Sequence, residues 1–303
     1  MQNKAGSLSG TVKRACVFAH YDSANVLDPY VRYYLGSLCQ VIDCVVLVTV
    51  SALDPKVHTE LAALGVRVIA RSNEGYDFCS YKLGLASIEL SNFDEVVLCN
   101  DSVYGPFVEL HELFDRMTEL QCDFWGVSDS YEIAHHIQSY FMVFRRTVIE
   151  SYAYTSFWQS VQPLNDKAEV IRKYEVGLSQ QLIAAGFTPS SLVVSSKRSV
   201  VTRIARSPRQ FLYRYAKRWR KPELYKHLFL SLIGRQAFQV NPMQLEWRDS
   251  LRRQLSPFIK VELLRDDPLG IAAREEILEE IGSNTSYPLA LIRNHLQRVC
   301  DTY

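Results

Sequence analysis

Through the first 196 residues, short apolar runs alternate with stretches whose apolar positions recur at helical spacing. Residues 15–19 (ACVFA), 44–50 (CVVLVTV), 66–70 (VRVIA) and 95–99 (EVVLC) are rich in β-branched residues and lack a polar face. Such runs suit strands buried on both sides. Between them, 29–39, 55–64 and 77–90 carry helical periodicity, and 110–120 continues it after the fourth run. Pro29 suits a first turn, and Gly65 suits a helix stop. Strand, helix, strand, helix in this rhythm predicts a parallel sheet with right-handed crossovers.

Beyond this the pattern is less regular. Residues 123–126 (DFWG) open a strand-like segment, followed by a polar stretch to His136 that reads as loop. Residues 139–145 alternate as a strand, 148–161 and 174–185 read as helices, and Val193–Val194 as a last short strand. After Ser196 the character changes. Residues 210–221 put Phe211, Leu212, Tyr215, Ala216 and Trp219 on one helical stripe, with Arg214, Lys217 and Lys221 opposite. Residues 243–254 and 271–281 read as helices, and 257–264 (PFIKVELL) as a strand. The expected organisation is a core over 1–196 and a basic, helical C-terminal region over 197–303 packed upon it.

Composition narrows the class. Hydrophobic residues make up 48% and charged residues 22% of the 303, the usage of an ordinary globular chain rather than a disordered one. No run of about 18 apolar residues occurs, so no transmembrane helix is expected. The polar start of the chain shows no secretory leader pattern, and the default address is the cytoplasm. Seven cysteines, none in a Cys-x-x-Cys pair, read as reduced, mostly buried small hydrophobes rather than a disulfide or zinc framework. Net charge is only +1, yet residues 197–226 crowd basic side chains with Glu223 as their sole acid. That asymmetry suits an anionic surface or ligand, such as a membrane. A docked helix with a solvated basic face explains it as well. Nucleic acid fits less well, because its binders spread basic residues over a reading face.

In a parallel sheet, ligands bind beyond the carboxyl ends of the strands. There the sequence places His20-Tyr21-Asp22, then Arg71 through Asp77, then Asn100-Asp101-Ser102. A nucleoside diphosphate needs an acceptor for the base, an aromatic to stack on, and cations or a metal for its phosphates. Asp22, Tyr21, Arg71, Lys82 and Asp101 are the candidates, with Asp101 able to hold a divalent metal. Each aspartate could instead simply cap a helix, and Gly75 could serve only a tight turn. Glu175 is expected in a helix first turn, where the dipole alone would favour it. As a catalytic group it would deprotonate an acceptor hydroxyl, with Asp129 as its rival. His135 and His136 are candidate acceptor contacts.

The strings RSNEGYDFCSYKLGL (71–85), VVLCNDSVYGPF (96–107), DFWGVSDSYE (123–132), HIQSYFMVFRR (136–146) and KYEVGLSQQLIAAGF (173–187) resemble the rhamnan synthesis protein F family of bacterial glycosyltransferases. NPMQLEW (241–247) and PFIKVELLRDDP (257–268) look like that family's C-terminal blocks. The resemblance implies a GT-A type, Rossmann-like, mostly parallel α/β fold and a nucleotide-sugar donor. It also implies a role in rhamnose-containing polysaccharide or O-antigen synthesis, with dTDP-L-rhamnose or another deoxysugar nucleotide as donor and a polysaccharide or lipid-linked oligosaccharide as acceptor. On that likeness Asn100-Asp101-Ser102 stands where an Asp-x-Asp metal motif would be, with one carboxylate instead of two. Glu175 stands where inverting enzymes of this fold carry their base, with Val176 in place of a second acid. Asn73 and Asp77 would contact the donor, and Lys82 would neutralise phosphate. Sugar-phosphate transfer, a retaining reaction and a non-catalytic anion-binding module are the alternatives.

Overall fold

The computed structural model describes residues 12–131, 133–193, 243, 247–253, 256–267 and 273–300. The basic segment 197–226 lies outside them.

Four apolar runs form the parallel half of the sheet. They are β1 (Arg14–His20), β2 (Cys44–Thr49), β3 (Val66–Ala70) and β4 (Glu95–Asn100), in the order β3-β2-β1-β4. Their register pairs Cys16 with Val45 on one side and with Val97 on the other. The crossovers are α1 (Pro29–Cys39), α2 (Pro55–Ala63) and α3 (Tyr76–Ala86). Past β4 run the two-residue β5 (Val103–Tyr104), α4 (Leu110–Thr118), β6 (Phe124–Ser130), β7 (His136–Ile137) and β8 (Phe141–Arg145).

The sheet departs from a purely parallel arrangement at β8, which slots antiparallel between β4 and β6. β6 is also longer than its polar sequence predicts. Ser128, Asp129 and Ser130 are buried strand residues rather than loop. Their polar groups are satisfied inside: Ser128 Oγ donates to Gln138 Oε1 at 2.6 Å and lies 2.7 Å from the Tyr140 hydroxyl. Burial therefore leaves these polar groups paired.

The helix expected over 148–161 is broken in two, α5 (Arg146–Ile149) and α6 (Tyr152–Ser160), because the Ser151 side chain caps the second at Tyr154 N. The helix expected at 174 begins earlier. α7 (Lys167–Val170), capped by Asp166, passes through a π-helical turn (Ile171–Val176) into α8 (Gly177–Ala184). Strand β9 (Pro189–Val193) then pairs parallel with β6.

In the C-terminal region, α9 (Trp247–Arg252) precedes β10 (Ile259–Lys260), which pairs antiparallel with β5. The run expected as one strand over 257–264 turns helical at once, as α10 (Val261–Arg265). Helices α11 (Arg274–Asn284) and α12 (Leu289–Cys300) follow.

Side-chain alternation along the strands divides the core into two layers. Ala15, Val17, Val46, Val96 and Leu98 face Phe78, Tyr81, Phe157, Trp158 and Tyr174 of the α3–α8 side. Cys16, Phe18, Leu47 and Cys99 face α1, α4 and the C-terminal helices, including Trp247, Ile281, Ile292 and Leu296. Helices thus cover both faces and leave the strand ends to carry polar groups. All seven cysteines are unpaired, with Cys16, Cys99 and Cys122 fully buried. Among the described residues no helix is long and apolar enough to cross a membrane.

Candidate active site

The carboxyl ends of β1 and β4 lie side by side, since Ala19 is paired with Asn100. The first residues beyond each strand therefore meet. The Tyr21 amide donates to Asp101 Oδ2 at 2.8 Å, and the His20 imidazole lies 4.0 Å from the same oxygen. From α1, the Tyr30 hydroxyl donates to the Asp101 carbonyl at 2.8 Å. Asn100 turns its amide nitrogen to Asp77 Oδ2 at 2.8 Å, while its oxygen accepts from Ser102 Oγ at 2.6 Å. Asp77 sits in the first turn of α3, Asp101 just past β4.

Glu175 completes the group from the other side. It lies in the π-helical turn, in the middle of a continuous helical stretch, so the first-turn dipole has no part in placing it. Its Oε1 accepts from the Ser139 amide at 2.6 Å. Ser139 N–H is the contact that the sequence did not reveal, because it is a backbone donor.

Asp77, Asp101 and Glu175 are thus each held by a separate donor near this end of the sheet, and among the described residues no three His, Cys, Asp or Glu side chains cluster to hold an ion. Burial pushes the nearby Tyr81 phenol far up, and the charge of Asp77, then those of Cys99, Glu175 and Asp101, add to it. The three carboxyls are half-buried. Burial lifts Asp101 well above the usual carboxylate range, the Tyr21 amide opposes this, and the Asp77 and Asp22 charges add to it. Burial also lifts Asp77; its Asn100 bond offsets part of this, and the Glu175 charge adds to the rise. Lys167 is a nearby cation that lowers Asp77, a residue the sequence did not single out. Carboxyls lifted by desolvation and by one another's charge, as Asp77 and Asp101 are, are a recognisable functional-site signature.

His20 is buried, accepts or donates at Thr49 Oγ1 across 2.9 Å, and is lowered to about 4 by desolvation. It is a neutral, fixed side of the recess. Tyr21, in contrast, is 54% exposed, leaving its ring available at the mouth.

Several candidate residues have other tasks. Arg71 spends its guanidinium on its own loop: Nη1 on the carbonyls of Ser72 and Glu74 (2.7 and 2.5 Å), Nη2 on Tyr76 O (2.6 Å) and Nε on Ser80 Oγ (2.9 Å). This clamp holds two successive left-handed residues, Gly75 at φ 72° and Tyr76 at φ 53°. The second is costly for a non-glycine. A Cβ on Gly75 would meet the Cys79 side chain and approach Pro163 Cα to 2.8 Å, so this turn needs glycine twice over. Lys82 donates to the carbonyls of Gln159 and Val161 (3.2 and 2.7 Å) rather than pointing at phosphate. Asp22 is bound to Arg298 and to the amides of Ala24 and Val26. Asn73 is an exposed loop residue. His136 is buried with Nδ1 on its neighbour Ala134 O at 2.8 Å, which removes it as an acceptor contact. Asp129 is nearly buried against His135 Nε2 at 3.1 Å, and that ring stacks on Tyr131 at 4.5 Å, half-exposed.

Relatives sharpen the picture. A model of the family described as "Rhamnan synthesis protein F" matches residues 45–216, more than half the chain. The virulence protein VirA of Vibrio anguillarum is 30% identical over 237 residues, covering 75% of this chain and 73% of that protein. Among solved structures, the glycosyltransferase GlyE of Streptococcus pneumoniae aligns over 94% of this chain and 63% of its own at 15% identity and a TM-score of 0.42. TarS of S. aureus in complex with UDP-GlcNAc aligns over 46% of each chain at 13% identity and a TM-score of 0.34. Structural likeness at that level carries no functional argument; the sequence match does the assigning, and the chain belongs to the rhamnan synthesis protein F family.

Proposed function

We propose that this protein is a glycosyltransferase, moving a sugar from a nucleoside diphosphate onto a hydroxyl of a growing polysaccharide. The observation that carries the reading is the meeting of β1 and β4 at their carboxyl ends, where the Tyr21 amide holds the Asp101 carboxylate and Asn100 holds that of Asp77, beside an exposed Tyr21 ring, in a member of this family. The family's description favours L-rhamnose or a related deoxysugar as the group transferred.

Asp101 would be this chain's ligand to Mg²⁺ or Mn²⁺; among the described residues no three His, Cys, Asp or Glu side chains cluster to hold the ion by themselves. Such an ion would offset the charge of the departing diphosphate. The chain's own groups do the remainder. Tyr21 offers a stacking face to the base. Asn100 holds the Asp77 carboxylate, the Tyr21 amide that of Asp101, and Tyr30 the Asp101 carbonyl. Glu175, anchored through one oxygen by Ser139, takes the proton from the acceptor hydroxyl. The freed oxygen attacks the anomeric carbon as its bond to phosphate breaks, and direct displacement inverts the configuration. Asp129 is the weaker base, since its carboxylate is committed to His135.

Release of nucleoside diphosphate from dTDP-L-rhamnose and UDP-sugars, followed by chromatography with and without Mn²⁺, tests this. Asp101→Asn and Glu175→Gln each lower turnover by about 10²-fold or more. Wild-type turnover in both, with unchanged circular dichroism, would refute these roles. Product NMR decides the anomeric outcome.

A further inference from the structure

We propose that α12 is part of the active-site scaffold, and that Arg298 is the positioning residue that sets Asp101. The inference rests on the donor-site reading above and extends it to the far end of the chain.

Arg298 reaches back across 276 residues to Asp22 and 270 to Asp28. Its Nη2 donates to Asp22 Oδ2 at 2.5 Å, and its Nε donates to Asp28 Oδ1 at 3.1 Å, with a second bond from Nη2 to Asp28. One planar fork therefore closes both ends of the segment joining β1 to α1. Within that segment Asp22 also accepts from Ala24 and Val26, so its position fixes the turn. The segment then delivers two contacts to a single residue. Tyr21 N–H, next to Asp22, holds the Asp101 carboxylate, and Tyr30 O–H, two residues after Asp28, holds the Asp101 carbonyl.

The same helix approaches from the other side. His295, three residues before Arg298, lies 2.6 Å from the Tyr104 hydroxyl and packs on the Tyr30 ring at 4.7 Å. Tyr104 follows Asp101 by three residues, in β5. Asp101 is thus braced before and after by contacts that lead to α12.

The charges explain why an arginine is used. Asp22 and Asp28 are two carboxylates at the ends of one short segment. Without a cation between them they repel, and the segment opens. A guanidinium serves both at once in a fixed fork, whereas an ammonium is a point charge without that geometry. Opening the segment withdraws the Tyr21 amide from Asp101, and the donor site loses its geometry while the core stays packed.

Hydrogen exchange and ligand binding on the full chain test this together. In Arg298→Gln, amides over 21–28 and 100–104 exchange about tenfold faster or more, while β2 keeps its protection. The Kd for UDP or dTDP with Mn²⁺ rises about tenfold. Arg298→Lys falls between wild type and Arg298→Gln. Arg252→Gln, which breaks the 2.5 Å Arg252–Glu280 pair elsewhere in the C-terminal region, costs stability but leaves both readouts unchanged. A purely structural role predicts that Arg252→Gln and Arg298→Gln behave alike, and that outcome overturns the proposal. So does wild-type exchange in Arg298→Gln, or a loosened segment with wild-type affinity. Wild-type protein that binds no nucleoside diphosphate would sink the donor reading separately, and exchange alone would then decide whether Arg298 holds Asp101.

Discussion

His20 makes a quantitative test of how closed the recess wall is. Its imidazole is buried on β1, and desolvation lowers it to about 4 despite the nearby Asp22 and Asp28 charges. An unfolded chain would protonate the same group near its ordinary value of about 6.5. The sign follows directly. Above that pH both states hold a neutral ring and the group contributes no pH dependence. As pH falls through 6.5 toward 4, the unfolded chain takes up a proton that the folded protein refuses, so stability is lost. The gap of about 2.5 units corresponds to about 3 kcal/mol in full, of which about 2 kcal/mol is lost between pH 7 and pH 5. His20→Gln keeps a polar group beside Thr49 but cannot titrate. Urea unfolding of both proteins at pH 8, 7, 6 and 5 should therefore show the wild type falling more steeply, with the difference growing by about 2 kcal/mol from pH 7 to 5. Parallel curves would mean that His20 is hydrated or charged, and that the wall beside Asp101 is open.

Two substitutions separate structure from chemistry at the other candidates. Lys82→Met removes the bonds to Gln159 and Val161 carbonyls and costs about 1–3 kcal/mol in denaturant unfolding, with nucleoside diphosphate affinity unchanged; a tenfold loss of affinity would return Lys82 to the phosphates. Gly126→Ala puts a Cβ against the Ile137 side chain and 2.7 Å from the Phe141 carbonyl, where β6 meets β8, and lowers stability by about 1–3 kcal/mol. A neutral Tm change there would argue against the β6–β8 pairing.

The parallel half of the fold is legible because β1, β2 and β4 are buried on both faces and read as unbroken apolar runs, while the edge strand β3 keeps Val66, Val68 and Ile69 apolar. The antiparallel insertion of β8 was not, since alternation in 139–145 says nothing about direction. β6 extends past its sequence signal because Ser128, Asp129 and Ser130 look like loop; partners set by pairing, among them Gln138, Tyr140 and His135, make their burial tolerable. Residues 257–264 look like a strand, yet only Ile259–Lys260 pairs before the chain turns helical.

At the site, strand-end position pointed to Tyr21, Asn100 and Asp101, and helix entry to Asp77. Position could not say which cations are free. Arg71 and Lys82 look available in sequence, but nearby backbone carbonyls claim them. Glu175 lies mid-helix rather than in a first turn, because the short polar α7 and the π-helical turn carry little apolar period. Arg298 gave no local signal at all: its partners lie at the opposite end of the chain, and only the fold brings them together.

A crystal structure of the protein with UDP or dTDP and Mn²⁺ decides whether this is a donor site. The metal is expected on Asp101, the diphosphate beyond the ends of β1 and β4, the base against Tyr21, and Glu175 facing the space beside the terminal phosphate. A diphosphate bound at another surface, with Asp77, Asp101 and Glu175 untouched, would contradict it.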